Sequence, residues 1–404
     1  MSVITVFSAT YCHADTVVEK VAQQLGYRVI DSQYVLECAS KRFGIPVDKL
    51  SKAMHQGPSI FNEFTRDKEK GACYIKAAMA SVIAEDNLVY HGFAGHLIPS
   101  SVDHVLKVAL VASHDFREMV AAEAGLSEKD ARKATAKDDE DRAVWTKFLF
   151  DKGPWDKTLY DLKIPLNEVA IDDAVATICE KAQLVQTTAK SEATVADFAL
   201  AAEAELALAL EGHHDVDVTC RDGKVTVAIN KDVRNPEHLK DELKAIVQTV
   251  DNVTDIDIKV IPEIHEPYLY RSTKFDVPAR VLLVDDEREF VQTLSERLRM
   301  REFGTAVAND GLEALNLIET EEPEVMVLDL QMPGIGGIEV LRKVKTKRPN
   351  VEVIILTGHG TKKDAELAEQ LGAFAYLEKP VDVDTLTKTM KAAYAKLRKK
   401  ESGD

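Results

Sequence analysis

Cationic side chains are in short supply in this sequence. Its 51 Lys and Arg face 68 Asp and Glu, for a formal net charge of -17. A chain this acidic is repelled by nucleic acid and by anionic membrane surfaces, so neither is expected as a broad partner. No recognition-helix motif or zinc-finger pattern offsets that expectation. Cysteine is also sparse: Cys12, Cys38, Cys73, Cys179 and Cys220 stand apart and form no CxxC pair. That pattern excludes a disulfide framework or a zinc site and reads as reduced thiols in a cytosolic protein. No stretch is long and apolar enough to cross a bilayer, and Met1–Ser8 lacks the basic start of a signal peptide. A cytoplasmic location is therefore expected.

The chain has 404 residues, 45% of them hydrophobic. That is enough for about two to four domains with cores of their own. The most informative stretch is Val325-Met-Val-Leu-Asp329-Leu-Gln-Met-Pro-Gly334. Four apolar residues predict a strand buried on both faces. A carboxylate follows at its end, and Met-Pro-Gly turns the chain at once, since Pro fixes φ and Gly permits φ > 0. Three further runs share this form. Arg280–Val284 leads into Asp285-Asp286-Glu287, Val351–Leu356 into Thr357-Gly358, and Ala373–Leu377 into Glu378-Lys379-Pro380. In an open parallel sheet, ligands bind beyond the carboxyl ends of the strands. Parallel pairing of these four strands would gather Asp285, Asp286, Asp329, Thr357 and Lys379 on one rim. Several carboxylates in one place call for a cation, and an all-oxygen set of this kind suits Mg²⁺. An Asp carboxylate can act as a covalent phosphoryl acceptor.

These residues, in this order, resemble the receiver domain of two-component response regulators over about residues 279–400. The resemblance implies a flavodoxin-like doubly wound fold. It also implies that Asp329 is the phosphoacceptor, that Asp285, Asp286 and Asp329 hold Mg²⁺, and that Thr357 and Lys379 contact the phosphoryl group. Tyr376 falls at the aromatic switch position.

The N-terminal part opens with a strand at Val3–Phe7 and a loop at Ser8–Asp15. Thr16 and Glu19 then look like a capping box for a helix over Val17–Leu25. Short strands are expected at Tyr27–Ile30, Leu88–Tyr90 and Val105–Val111, and a charged helix over Ser127–Phe150. The alternation of strand and helix indicates a parallel α/β domain. Residues 1–186 are similar to the cytidylate-kinase-like family of P-loop kinase folds. The similarity rests on the opening strand–loop–helix, the step from Leu25 to Asp31, the lid-like stretch with Arg132 and Arg142, and Tyr160-Asp161-Leu162. Phosphoryl transfer from a nucleotide needs glycines and a cation around the phosphates. Between Ser8 and Asp15 there is no Gly, Lys or Arg, and Asp15 puts a negative charge near the helix start. Gly92-Phe-Ala-Gly95 likewise lacks the arginine of the family's Gly-Arg-Gly-type turn. A kinase fold without its phosphate loop is expected, with Arg132 and Arg142 on a solvated helical face.

From Ser191 the order is a helix, two alternating strands joined by Asp222-Gly223, a second helix and a third strand at Asp255–Val260. Asp-Gly between alternating runs is a hairpin signal. Residues 187–263 resemble a BON domain, a small α+β module. His213 and His214 read as a turn, not as metal ligands. Residues 264–278, rich in Pro, read as a linker into the receiver, residues 279–404.

The expected function is that of a phosphorelay response regulator. A histidine kinase or phosphotransfer protein phosphorylates Asp329, and an N-terminal module that does not bind DNA acts on an unknown output partner. The alternatives are a receiver-gated nucleoside monophosphate kinase and a signalling scaffold.

Overall fold

A computed structural model describes residues 2–188, 191–229, 236–260, 278, 280–301, 303–358 and 360–402. All of the expected linker except Pro278 lies outside them. The chain divides into two compact units, one of residues 1–57 and 68–271, the other of residues 58–67 and 272–404.

The first unit begins with β1 (Val3–Ser8), α1 (Ala14–Leu25), β2 (Arg28–Asp31), α2 (Ser32–Phe43) and α3 (Val47–His55). The short α4 (Asn62–Thr65) belongs to the stretch counted with the second unit. The first unit resumes with α5 (Asp67–Ile83), β3 (Leu88–His91), β4 (Val105–Val111), α6 (His114–Glu123), α7 (Glu128–Phe150), β5 (Leu162–Pro165) and α8 (Ile171–Thr188). Its sheet has the order β2-β3-β1-β4-β5 and is parallel throughout. Side chains alternate across β1. Val3 and Phe7 enter the core under α2 and α5, and Ile4 and Val6 enter the core under α1 and α8. Both faces are covered, which is why this strand reads as an apolar run.

The predicted start of the first helix is three residues late. Tyr11 and His13 take left-handed φ of 54° and 62°, which turns the chain early, and α1 begins at Ala14. Thr16 therefore lies in the first turn, and His13 sits at the N-cap without a capping side-chain hydrogen bond.

The remainder of this unit comprises α9 (Ser191–Leu210), β6 (Val216–Arg221), β7 (Lys224–Ile229), α10 (Pro236–Val247) and β8 (Asp255–Val260). β6 and β7 pair antiparallel and β7 and β8 parallel, giving a mixed three-stranded sheet. The hairpin turn has φ of 52° at Asp222 and 78° at Gly223, as an Asp-Gly turn requires. Helix α9 buries apolar residues on two faces and serves two cores. Phe198, Ala202 and Leu206 join the core under β1, while Ala201, Ala204 and Leu208 pack on Val225 and Val227 of the small sheet. Each buried leucine contributes about 1.5–3 kcal/mol.

The second unit contains β9 (Val281–Val284), α11 (Arg288–Arg299), β10 (Thr305–Ala308), α12 (Gly311–Thr320), β11 (Val325–Leu328), α13 (Gly337–Lys347), β12 (Glu352–Thr357), α14 (Lys362–Gln370), β13 (Ala375–Glu378) and α15 (Val383–Ser402). Its parallel sheet runs β10-β9-β11-β12-β13, the doubly wound order expected. Leu282 and Val284 face one helical layer, and Val281 and Leu283 face the other. No helix among the described residues is long and apolar enough to cross a membrane.

Candidate functional site

Parallel pairing places the strand ends of the second unit on one rim. Val284 stands opposite Leu328, Leu328 opposite Ile355, and Thr357 opposite Glu378. The next residues along β9, β11 and β13 are Asp285, Asp329 and Lys379, while Thr357 itself ends β12. All four are thus brought together, as the sequence predicts. Asp285, Asp329 and Thr357 are buried, whereas Asp286 is exposed. Carboxylate oxygens of Asp285, Asp286 and Asp329 all lie within 4.8 Å of one another.

Lys379 binds this cluster. Its Nζ donates to Asp285 Oδ2 at 2.6 Å and to Glu287 Oε1 at 3.1 Å, and lies 3.5 Å from Asp329 Oδ2. Its stem carries the ammonium over the Phe290 ring, 4.4 Å from the centroid. Burial alone would lower the Lys379 pKa. The hydrogen bond to Asp285 and the charges of Asp285 and Asp329 outweigh burial and raise it. Burial pushes the Asp285 carboxyl up, against the pull of Lys379. A desolvated carboxylate beside two others has room for a further cation in its charge balance.

The backbone explains how Asp329 is held. Its Oδ1 accepts from the N–H groups of Leu330 at 2.6 Å and Gln331 at 3.4 Å. The loop then returns so closely that a Cβ at Gly337 would overlap the Asp329 carbonyl oxygen. Only glycine permits that approach. The Lys379–Pro380 peptide is cis. Tyr376 lies on β13 with its hydroxyl buried and without a hydrogen-bond partner among the described residues. A Cβ at Gly360 would overlap that hydroxyl, so the ring fills the space beside the loop after β12. Sequence reasoning missed the part of Glu287, although it directly follows the acidic pair. It also missed Gly337.

In the first unit, the corresponding rim lies after β1. Ser8 Oγ is 2.8 Å from His91 Nε2, and His91 Nδ1 is 3.3 Å from Asp15. The hydrogen bond to His91 holds the Asp15 carboxyl below its usual range, despite partial burial. Cys12 is buried in the same loop, and burial pushes its thiol up to about 11. Arg132 is exposed and paired with Glu118 and Glu128, as a solvated helical face predicts. Arg142 is a correction to that expectation. It is buried, with Nε donating to the Ser8 carbonyl at 2.6 Å and the guanidinium beside the rings of Phe7 and Phe93. Helical periodicity cannot tell which face of a charged helix turns inward. His213 is buried, 3.4 Å from Glu242, and forms part of no acidic metal cluster among the described residues. A cavity of about 1100 Å³ opens at the amino ends of β4 and β5. Two of its lysines are already engaged, Lys76 with Glu205 and Lys107 with the Ile98 carbonyl.

Comparison with known proteins finds relatives of two parts of the chain. Residues 281–391 match the model of the response regulator receiver domain, and residues 3–167 match that of the cytidylate kinase-like family. Sporulation initiation phosphotransferase F of Bacillus subtilis is 33% identical over 112 residues, which are 28% of this chain and 90% of that protein. The transcriptional regulatory protein GlrR of Escherichia coli is 37% identical over 109 residues, 27% of this chain. The chain spans only 24% of that relative's length. A solved receiver domain protein from Methanospirillum hungatei is 27% identical, with 30% of this chain and 97% of that one covered and a TM-score of 0.30.

Proposed function

Because the chain belongs to the response regulator receiver family through residues 281–391, we propose that it takes a phosphoryl group on Asp329 and so controls its N-terminal unit. The observation that carries this reading is the Lys379 ammonium placed against Asp285 and Asp329, in a cluster of three carboxylates within 4.8 Å. The donor is a histidine kinase or a phosphotransfer protein, in keeping with the name of the Bacillus relative.

A carboxylate oxygen of Asp329 attacks phosphorus, the bond from phosphorus to the donor breaks, and the donor leaves with that electron pair. The oxygen set of Asp285, Asp286 and Asp329 suits Mg²⁺, which when bound offsets the charge of the carboxylates and of the incoming phosphoryl oxygens. Asp285 and Asp286 would hold the ion. Lys379 is close enough to exchange a carboxylate partner for a phosphoryl oxygen. Thr357, at the end of β12, presents a hydroxyl that can donate to another. Loss of Lys379 from its present partners would then bias the loops after β12 and β13, beside Tyr376 of β13, whose buried hydroxyl has no hydrogen-bond partner among the described residues.

The experiment is phosphorylation by acetyl phosphate with Mg²⁺, with the site located by mass spectrometry. One base-labile acyl phosphate is expected, at Asp329. Asp329→Asn abolishes it, because an amide is no nucleophile, and chelation of Mg²⁺ weakens it strongly. Undiminished phosphorylation of Asp329→Asn would falsify the assignment.

A further inference from the structure

Residues 58–67 lie by sequence in the middle of the first unit and by packing in the second. The base of this excursion is closed. The buried Lys68 donates from Nζ to the Ala53 carbonyl at 3.0 Å and to the Gln56 carbonyl at 2.5 Å. The end of α3 and the start of α5 are thereby tied together. A compact loop whose ends are held close has the Ω form, which is frequently functional. A mere connection would run over the surface in water. Here Phe61, Asn62 and Phe64 are all buried, and Arg66 turns the chain back with a left-handed φ of 51°.

Within the second unit, the Arg299 guanidinium lies over the Phe64 ring, 5.6 Å from its centroid. That guanidinium is also held by β10. Its Nε donates to Thr305 Oγ1 at 3.3 Å and its Nη2 to the Thr305 carbonyl at 3.2 Å. A planar cation fixed in this way offers a face for an aromatic ring. Arg299 is the last residue of α11, and the helix starts beside the carboxylate rim. Its N-cap is Glu287, which accepts from Lys379. A helix of 12 residues, about 18 Å long, thus has the rim at one end and Phe64 at the other.

We propose that residues 58–67 are a docking segment for the receiver's α11–β10 face, and that a rearrangement at the carboxylate rim reaches α3 and α5 through it. The occupant of this face is the chain's own loop, an aromatic ring against a guanidinium. When Lys379 exchanges a carboxylate partner, Glu287 and the start of α11 lose their tie. Arg299, at the other end of the same helix, then keeps or releases the ring. Lys68 passes the outcome on, because the loop it closes begins at α3 and ends at α5. The trigger rests on Asp329 as the phosphoacceptor, whereas the docking does not.

The test is amide hydrogen exchange of the full chain, read by mass spectrometry on peptides that cover residues 58–67. Arg299→Ala should speed exchange in this segment by at least about threefold. Phe64→Leu, which alters only the ring, should do the same, and the double variant should add nothing to either alone. Arg299 is exposed and stands apart from the carboxylate cluster, so its loss should leave the labelling of Asp329 by acetyl phosphate unchanged. With Asp329 labelled, and the label counted on the intact chain, wild type should change its exchange in 58–67 by at least about threefold. Arg299→Ala should show no such change. Unaltered exchange in both single variants overturns the docking. So does exchange that rises across the whole second unit and not in 58–67, since Arg299 would then support the receiver alone. Unaltered exchange in fully labelled wild type overturns the transmission. A chain that takes no label at Asp329 refutes the phosphoacceptor reading instead, and the two variants still decide the docking.

Discussion

The rim of the receiver and the turn after β1 occupy equivalent places in two parallel sheets, yet their charge balances are opposite. At the receiver rim, Lys379 faces Asp285, Glu287 and Asp329, and Asp286 adds a fourth carboxylate to the cluster, so anions are in excess. At the turn after β1, Arg117 and Arg142 face Asp138 and Asp139, and the charges cancel. A rim with surplus carboxylates draws in cations, and through them phosphoryl oxygens. A rim in which each guanidinium already has its carboxylate has no donor to offer. Fold position therefore tells where chemistry would occur, and local charge balance tells whether it can.

The contrast breaks first at Arg142. Arg142→Ala takes from Asp138 its ion-pair partner on α7 and from the Ser8 carbonyl a donor, and removes a cation packed on Phe7 and Phe93. Breaking a buried pair costs about 3–5 kcal/mol. The first unit should lose that much in a urea titration followed by tryptophan fluorescence, while acetyl phosphate still labels Asp329. A loss below about 1 kcal/mol, the most an exposed pair contributes, would place Arg142 outside the core of that unit.

A smaller effect is expected from Lys379→Ala at the other rim. Acyl phosphate should form at least about tenfold more slowly, since a fixed cation beside the developing charge is gone. What does form should no longer change the receiver's hydrogen-exchange pattern around β13. An unaltered rate and an unaltered exchange response would mean that the ammonium takes no part.

Acid sharpens the comparison on the side of the first unit. Burial, with the charge of Lys107 second, lowers His96 to about 3, so it stays neutral in the folded unit. An unfolded histidine takes its proton near pH 6.5. Below that value the unfolded chain binds more protons than the folded one. The stability contributed by neutral His96 is thus present above pH 6.5 and lost as pH falls. Between pH 7.5 and 5 the loss should be about 1–2 kcal/mol, and His96→Gln should shrink it. An equal loss in that variant would assign the acid sensitivity to other groups. The last expected effect is none at all. The full chain should not convert CMP with ATP, whether or not Asp329 is phosphorylated, and clear turnover in either state would sink the contrast drawn here.

What could be read in the sequence follows a physical divide. Asp285, Asp329, Thr357 and Lys379 were legible because each stands just beyond, or at the end of, a strand buried on both faces. Such strands write themselves as apolar runs with a polar residue at the end, and parallel pairing then carries those residues to one rim. The missing glycine and lysine between Ser8 and Asp15 were legible for the same local reason. The burial of Arg142, the pairing of Arg117 with Asp139 and the bond from Ser8 to His91 were not. In sequence these partners are 22 to 134 residues apart or lie on helices with charge on every side. Periodicity does not say which charged face turns inward, and only the packing of α6 and α7 against β1 decided it. The sequence by itself determined two parallel sheets and a carboxylate-rich rim, because strand burial and strand ends are local properties. Whether the other rim stood open or closed was decided by the tertiary structure, because the carboxylates that close it come from a helix more than a hundred residues away.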